Sequence, residues 1–162
     1  MEEQALFQQL AETAKANPYT VYELRNILDS SAPDLSETER LCFSIVTDLF
    51  GNKPLAELQN NDDHILWYDY VQLHIYAFLK GKGDYREDEI LFTAGKAILT
   101  EKFIDELFIR FGIKSELIPL VVSLFVLVAV KVSVNAWCDY FYDSRVRENE
   151  KMLEALKEMT DK

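Results

Sequence analysis

The sequence predicts an all-α protein, a single-domain bundle of six to eight helices around a central apolar helix. Three observations lead to this class. Residues 118–130 form a nearly unbroken apolar run in a chain whose other segments are mixed and acidic. The 162 residues include only five Gly and four Pro, too few for the many tight turns of a β fold. A hydrophobic share of 49% is ample for a packed core, so we expect little disorder.

The N-terminal third is expected to contain three helices, which can form an N-terminal subdomain over residues 1–60. Residues 2–16 place Leu6, Leu10 and Ala14 on one face, the pattern of a short amphipathic helix. A second helix follows Asn17-Pro18, with Thr20 as its predicted N-cap.

The third helix has the clearest boundary signals. Ser36 and Glu39 match the S-x-x-E capping box, and Gly51 provides a left-handed stop. Between these signals apolar residues recur every three or four positions, namely Cys42, Ile45, Val46, Leu49 and Phe50. The sequence therefore predicts a helix that buries one face.

The middle of the chain is predicted to add an aromatic helix and one or two amphipathic helices. Residues 64–80 are apolar around most of the helix circumference, which predicts a central position. Residues 86–111 form either two helices or one bent helix, and Gly112 ends it.

Residues 116–141 are predicted to be the central helix, although three environments compete for the apolar run. Its polar residues recur at multiples of four and form one narrow stripe, which favours a buried helix with a thin wet edge: Ser123, Lys131, Asn135 and Asp139. A membrane helix is the second choice, because a central Lys costs about 3 kcal/mol that the many apolar residues can offset. A strand over residues 128–137 is the third choice, since no second alternating segment is available to pair with it.

The C-terminal segment, residues 145–160, is predicted to be a charged amphipathic helix. Its thin apolar stripe consists of Met152, Leu153, Leu156 and Met159. Such a stripe packs either on its own bundle or on a second copy, and the latter would give a homodimer.

Charge and cysteine usage set the expected partners and compartment. A net charge of −11 repels nucleic acid and anionic membrane surfaces and attracts basic proteins. Cys42 and Cys138 stand alone in apolar helical contexts, so we expect two buried thiols in a reducing compartment. The N-terminal residues do not have the pattern of a secretory signal, and we expect a cytoplasmic protein.

No catalytic, metal or cofactor site is expected. His64 and His74 are ten residues apart, about 15 Å along one helix, which is too far for a shared metal ion. Paired carboxylates fall in predicted first turns or on solvent faces, where acids suit the helix dipole. The sequence contains neither a glycine-rich phosphate loop nor an activated nucleophile.

The predicted function is a non-enzymatic helical protein-interaction module, of the inhibitor, immunity, adaptor or regulatory-subunit type, with a basic protein partner. Six acids at two neighbouring loop-to-helix junctions form the predicted docking surface, here called the acidic edge: Asp62, Asp63, Asp84, Glu87, Asp88 and Glu89. One alternative is a membrane-associated protein that inserts residues 117–138. Another is a carrier that holds an apolar small ligand in a helical pocket lined by aromatic residues.

Overall fold

The computed structural model describes residues 3–13, 16–51, 65–81, 98–113 and 115–160. These ranges contain helices and no β-strand, which confirms the all-α bundle. The helices are α1 (Glu3–Gln8), α2 (Pro18–Leu28), α3 (Leu35–Phe50), α4 (Trp67–Gly81), α5 (Glu101–Phe111), α6 (Ile118–Val132), α7 (Val134–Phe141) and α8 (Glu150–Thr160). Two π-helical segments extend α1 and α7, Gln9–Thr13 and Tyr142–Val146 respectively.

The core is built around α6. This helix contacts α1, α2, α3 and α4, and α7 follows directly from it. Because neighbours surround it, its buried residues occupy almost the whole circumference: Ile118, Leu120, Val121, Val122, Leu124, Phe125, Val126, Leu127, Val128 and Ala129. Each fully buried Val, Leu, Ile or Phe contributes about 1.5–3 kcal/mol of transfer free energy, so this helix contributes strongly to the stability of the core.

No single described helix is both long enough and apolar enough to cross a membrane. One bent pair, Ile118–Val132 with Val134–Val146, meets the criteria jointly, with 113° between its two helices.

The prediction of one continuous helix over residues 116–141 is wrong, because the chain breaks at Ser133. The backbone of Ser133 adopts φ 103° and ψ 127°, and its Oγ accepts a hydrogen bond from the Ala136 N–H at 3.5 Å. By Val132 the helix has already run about 22 Å. The turn brings Trp137 and Phe141 back onto α4, where both are buried. Residues 128–137 are helical on both sides of the break, so the strand alternative is also wrong.

Two predicted caps are displaced towards stronger capping residues. Asn17 caps α2, since its Oδ1 accepts the Tyr19 N–H at 2.9 Å, whereas Thr20 lies inside the helix. Asp34 caps α3 by accepting the Glu37 N–H at 3.0 Å, so the predicted capping box at Ser36 is not formed. Asn and Asp rank at least as high as Ser and Thr at this position, and Pro18 suits the first turn of α2.

The glycine stops are confirmed, and the terminal helices are shorter than predicted. Gly51 ends α3 with φ 65°, and Gly112 ends α5 with φ 70°. The first helix gives way to its π-helical segment and ends at Thr13. The last helix begins at Glu150, because the Oδ1 atom of Asn149 caps it by accepting hydrogen bonds from the N–H groups of Lys151 and Met152.

The apolar stripe of α8 packs against α4 of the same chain. Met152 and Ala155 are buried there, and three residues pack partly buried on the same side: Leu153, Leu156 and Met159. The homodimer through this helix stays a prediction.

Candidate functional site

A cavity of about 650 Å³ is lined by residues of α4, α5 and α8 and by the short stretch before α5. We call it the α4–α5–α8 cavity. Its apolar lining consists of Ala77, Phe78, Ile98, Phe103, Ala155 and Met159. Its polar lining includes Tyr70, His74, Lys102, Glu106, Arg110 and Glu158. Both the volume and the mixture of apolar walls with a few polar groups are typical of small-molecule sites.

The helices present these residues through simple spacing. Tyr70 and His74 lie four residues apart on α4, as do Glu106 and Arg110 on α5, so each pair shares one helix face. Along this contact the two helices run antiparallel. Tyr70 meets Phe111 near the end of α5, and His74 meets Phe103 near its start.

The start of α5 is fixed by a cap. Thr100 accepts the Phe103 N–H at 3.1 Å through its Oγ1. This bond satisfies one of the free N–H groups of the first turn. It sets the helical register that turns Phe103, Glu106 and Arg110 towards the cavity.

A hydrogen-bonded polar group forms one part of the cavity wall. The Tyr70 hydroxyl donates to Glu106 Oε2 at 3.0 Å, and His74 Nε2 lies 3.7 Å from the same oxygen. Arg110 is held differently: its guanidinium lies 5.2 Å from the centre of the Tyr70 ring and 3.8 Å from Glu158 Oε2. Burial raises the pKa of Tyr70, so its hydroxyl stays protonated and acts as the donor to Glu106.

His74 is a neutral imidazole at pH 7. Burial lowers its pKa to about 4, and the positive charges of Arg110 and Lys102 add to this effect. Its ring centre lies 4.9 Å from that of Tyr70 and 4.7 Å from that of Phe103, in edge-to-face arrangements. Its Nε2 is buried and makes no hydrogen bond with any described residue. This nitrogen is therefore a buried polar atom without a hydrogen bond in the described part of the chain, 3.7 Å from Glu106 Oε2.

A second polar cluster joins α3, α4 and the segment after α7. Arg145 pairs with Glu39, and its Nε lies 3.9 Å from Asp69 Oδ1. Burial raises the pKa of Asp69 to about 6; Arg145 acts against the rise and Glu39 adds to it. The cavity beside Glu39 has a volume of only about 20 Å³. The role of the cluster is therefore structural, because it fixes three elements of the bundle relative to one another.

The two thiols are buried and free, as predicted from their apolar contexts. Burial raises the pKa of Cys42, and it raises that of Cys138 to about 11. Both therefore stay protonated at pH 7 and pack as small apolar residues. Among the residues with described positions, no three His, Cys, Asp or Glu side chains gather as metal ligands.

The six acids of the acidic edge lie outside the described residues, as does His64. One alternative predicted from the sequence was an apolar-ligand pocket lined by aromatic residues, which include Tyr70. His74 was considered only as a metal ligand, and no binding role was assigned to Glu106 or Arg110. The signal that the sequence contained was the i,i+4 pair of polar residues on each of two otherwise apolar helix faces.

Comparison with known proteins returned no match. No protein family matches this chain, and no curated protein or solved structure shows significant similarity to it.

Proposed function

We propose that the protein is a non-enzymatic binding protein whose α4–α5–α8 cavity holds a small ligand with an apolar body. The cavity itself carries this proposal. Its volume suits a ligand of drug size, and six of its lining residues are apolar. Transfer of apolar surface from water into such a site supplies the affinity, about 25 cal/mol for each Å² removed from solvent.

The walls of the cavity are held in place by contacts that do not involve a ligand. Helix α8 is anchored on α4 through Met152 and Ala155, and Arg110 links α5 to α8 through Glu158. The Tyr70–Glu106 hydrogen bond links α4 to α5. A site that is already formed loses less conformational entropy when a ligand binds, which supports a binding role.

Titration with the neutral fluorescent probe N-phenyl-1-naphthylamine tests this proposal. We expect saturable binding to the wild-type protein. The variants Ala77→Phe and Met159→Trp fill the cavity from α4 and from α8, and each should weaken binding at least tenfold. Ala32→Phe enlarges an exposed alanine outside the cavity and serves as the matched control. The proposal fails if the wild-type protein does not bind the probe, or if both cavity-filled variants fold and bind it equally well.

A second candidate function is the interaction module predicted from the sequence, and an exposed aromatic face of α2 favours it. Tyr19 and Tyr22 are 80% and 65% exposed, and their spacing of three places them on one face. Asp48 lies at the start of this face, where its Oδ2 accepts the Asn17 N–H at 3.0 Å, and Glu23 follows Tyr22 in the chain. Tyrosine is enriched in protein interfaces, and the adjacent carboxylates suit a basic protein partner.

This candidate is tested with a double variant of the aromatic face, Tyr19→Ser with Tyr22→Ser. A basic protein that is retained by the wild-type chain at low salt should be released at 0.5 M salt and should be lost from this variant. An equally exposed pair on α8, Glu154→Ser with Lys157→Ser, is the control. Equal retention by both variants would assign the binding to another surface. Neutralisation of the acidic edge then tests that surface in the same assay.

A further inference from the structure

Glu106 brings a negative charge to the α4–α5–α8 cavity without a cationic partner among the described residues. Its two described contacts are the Tyr70 hydroxyl at 3.0 Å and His74 Nε2 at 3.7 Å. Tyr70 is a neutral donor, and His74 is uncharged at pH 7. No described Lys or Arg nitrogen lies within 4.0 Å of this carboxylate, and no described residue donates to its Oε1. The half-buried carboxylate therefore has no described cationic partner, and it has an oxygen that can accept hydrogen bonds.

Aromatic rings stand next to this carboxylate. Tyr70, His74 and Phe103 form a continuous series of edge-to-face contacts, with ring centres 4.9 Å and 4.7 Å apart. All three rings line the cavity. Aromatic faces attract cations through their quadrupole, and a nearby carboxylate strengthens the attraction. Rings beside an unpaired carboxylate form a site for an organic cation.

Burial and the two cations of the lining, Arg110 and Lys102, lower the pKa of His74, but neither cation makes an ion pair with Glu106. The guanidinium of Arg110 lies over the Tyr70 ring, and Glu158 is its ion-pair partner at 3.8 Å. Lys102 is exposed, so water and salt screen its charge. The Glu106 carboxylate therefore stays available to a cationic ligand.

We infer that the ligand of the α4–α5–α8 cavity carries a primary or secondary ammonium group, which binds to Glu106 while an apolar body packs against Phe78, Ile98 and Met159. The N–H groups of the ligand donate to the Glu106 carboxylate, and its positive charge lies beside the rings of His74 and Phe103, because Arg110 covers the ring of Tyr70. This inference rests on the proposed function, because it names the chemical class of ligand for the same cavity.

Competition experiments with three probes that share one alkyl chain test this inference. Decylamine, decanol and decanoate each displace N-phenyl-1-naphthylamine from the protein at pH 7 if they bind in the cavity. We expect decylamine to bind at least tenfold more tightly than decanol, and decanoate to bind most weakly. A charge-assisted hydrogen bond in a partly desolvated site gives a preference of this size.

Two variants on α5 separate the site from the general charge of the protein. Glu106→Gln keeps an oxygen for the Tyr70 hydroxyl and removes the charge, so it should reduce the affinity for decylamine about tenfold and leave that for decanol unchanged. Asp105→Asn removes a neighbouring exposed charge and should change neither affinity. This control is needed because a net charge of −11 attracts cations to the whole surface.

The outcomes distinguish this inference from the proposed function. If decanol binds and Ala77→Phe abolishes its binding, but decylamine shows no preference or Glu106→Gln has no effect, only the ammonium assignment fails. A preference for decanoate overturns it as well. If the dye binds and both cavity-filled variants lose it, but none of the three probes displaces it, the ammonium assignment fails and the proposed function stands. If Glu106→Gln does not fold, the uncharged compound N-decylacetamide is tested with the wild-type protein instead. The inference is contradicted if N-decylacetamide binds as tightly as decylamine.

Discussion

Arg145 forms an ion pair with Glu39, which lies 106 positions earlier in the chain. The Arg145 Nε also lies 3.9 Å from Asp69 Oδ1, so one guanidinium serves two carboxylates. The side chains of Glu39 and Asp69 are only 19% and 13% exposed, whereas that of Arg145 is 37% exposed. This cluster therefore ties the segment after α7 to α3 and α4 in a partly desolvated setting.

Loss of the guanidinium should destabilise the fold. In the variant Arg145→Met two largely buried carboxylates lack their counter-charge, and we expect the free energy of unfolding to fall by about 2 kcal/mol at pH 7. The effect is smaller than for a fully buried pair because Arg145 is partly exposed. Urea denaturation measures it. The control is Arg147→Met, which removes an exposed i,i+4 pair with Asp143 and should cost less than about 1 kcal/mol. Equal losses in the two variants would contradict the assigned role.

The pKa of Asp69 makes the stability depend on pH in an unusual direction. Its folded pKa is about 6, above the ordinary value of 3.8, so the folded state binds this proton more tightly than the unfolded chain. Asp69 therefore contributes stability below about pH 4, and this contribution is lost as the pH rises through 6.

The variant Asp69→Asn lacks this titration. Relative to the wild-type protein, its free energy of unfolding should rise by about 2 kcal/mol between pH 4 and pH 7. Thermal or urea unfolding at several pH values measures the difference. Asp139→Asn, at an exposed position on α7, should show no such trend. A flat difference for Asp69→Asn would mean that folding does not raise the pKa of Asp69.

His74 should have the opposite effect. Its folded pKa is about 4, below the ordinary value of 6.5, so its contribution to stability is present above pH 6.5 and is lost as the pH falls through 4. His74→Phe keeps the ring contacts and removes the titration. Relative to the wild-type protein, this variant should gain about 2 kcal/mol as the pH falls from 6.5 to 4. The two pKa shifts have opposite directions. The stability of each variant relative to the wild-type protein, plotted against pH, should therefore slope upwards for Asp69→Asn and downwards for His74→Phe. Slopes of the same sign would exclude this assignment.

Ser133 carries backbone strain at the turn between α6 and α7. It is the one non-glycine residue in the described ranges with a positive φ, 103°. Ser133→Gly relieves the strain and gives up a long capping bond of 3.5 Å, which is worth a few tenths of a kcal/mol relative to glycine. We expect the variant to be about 1 kcal/mol more stable than the wild-type protein by urea denaturation.

The control at the same position is Ser133→Ala, which keeps the Cβ atom and loses the cap. It should be about 1 kcal/mol less stable than the wild-type protein. If glycine and alanine were equally destabilising, the strain at Ser133 would have no energetic consequence.

The predictions that the structure confirms depend on interactions among residues that are close together in the sequence. Residues 118–132 are apolar around most of the helix circumference, and such a helix is stable only when other helices surround it, so its place in the core followed from the sequence. Gly51 and Gly112 end their helices because glycine adopts a positive φ without the steric penalty of a Cβ atom. The burial of Cys42 and Cys138 also follows from their neighbours in the sequence, because both lie in apolar helical segments.

The break at Ser133 and the cavity could not be read from the sequence. A single serine in an apolar stretch is compatible with a continuous helix, and the chain turns there because α4 offers a surface for Trp137 and Phe141. Tyr70 and Glu106 are 36 positions apart, and only the antiparallel packing of α4 and α5 brings their oxygens within 3.0 Å. Local propensities decide which residues form a helix and which face is apolar. Which helices meet depends on the packing of the whole bundle, and the site is formed where they meet.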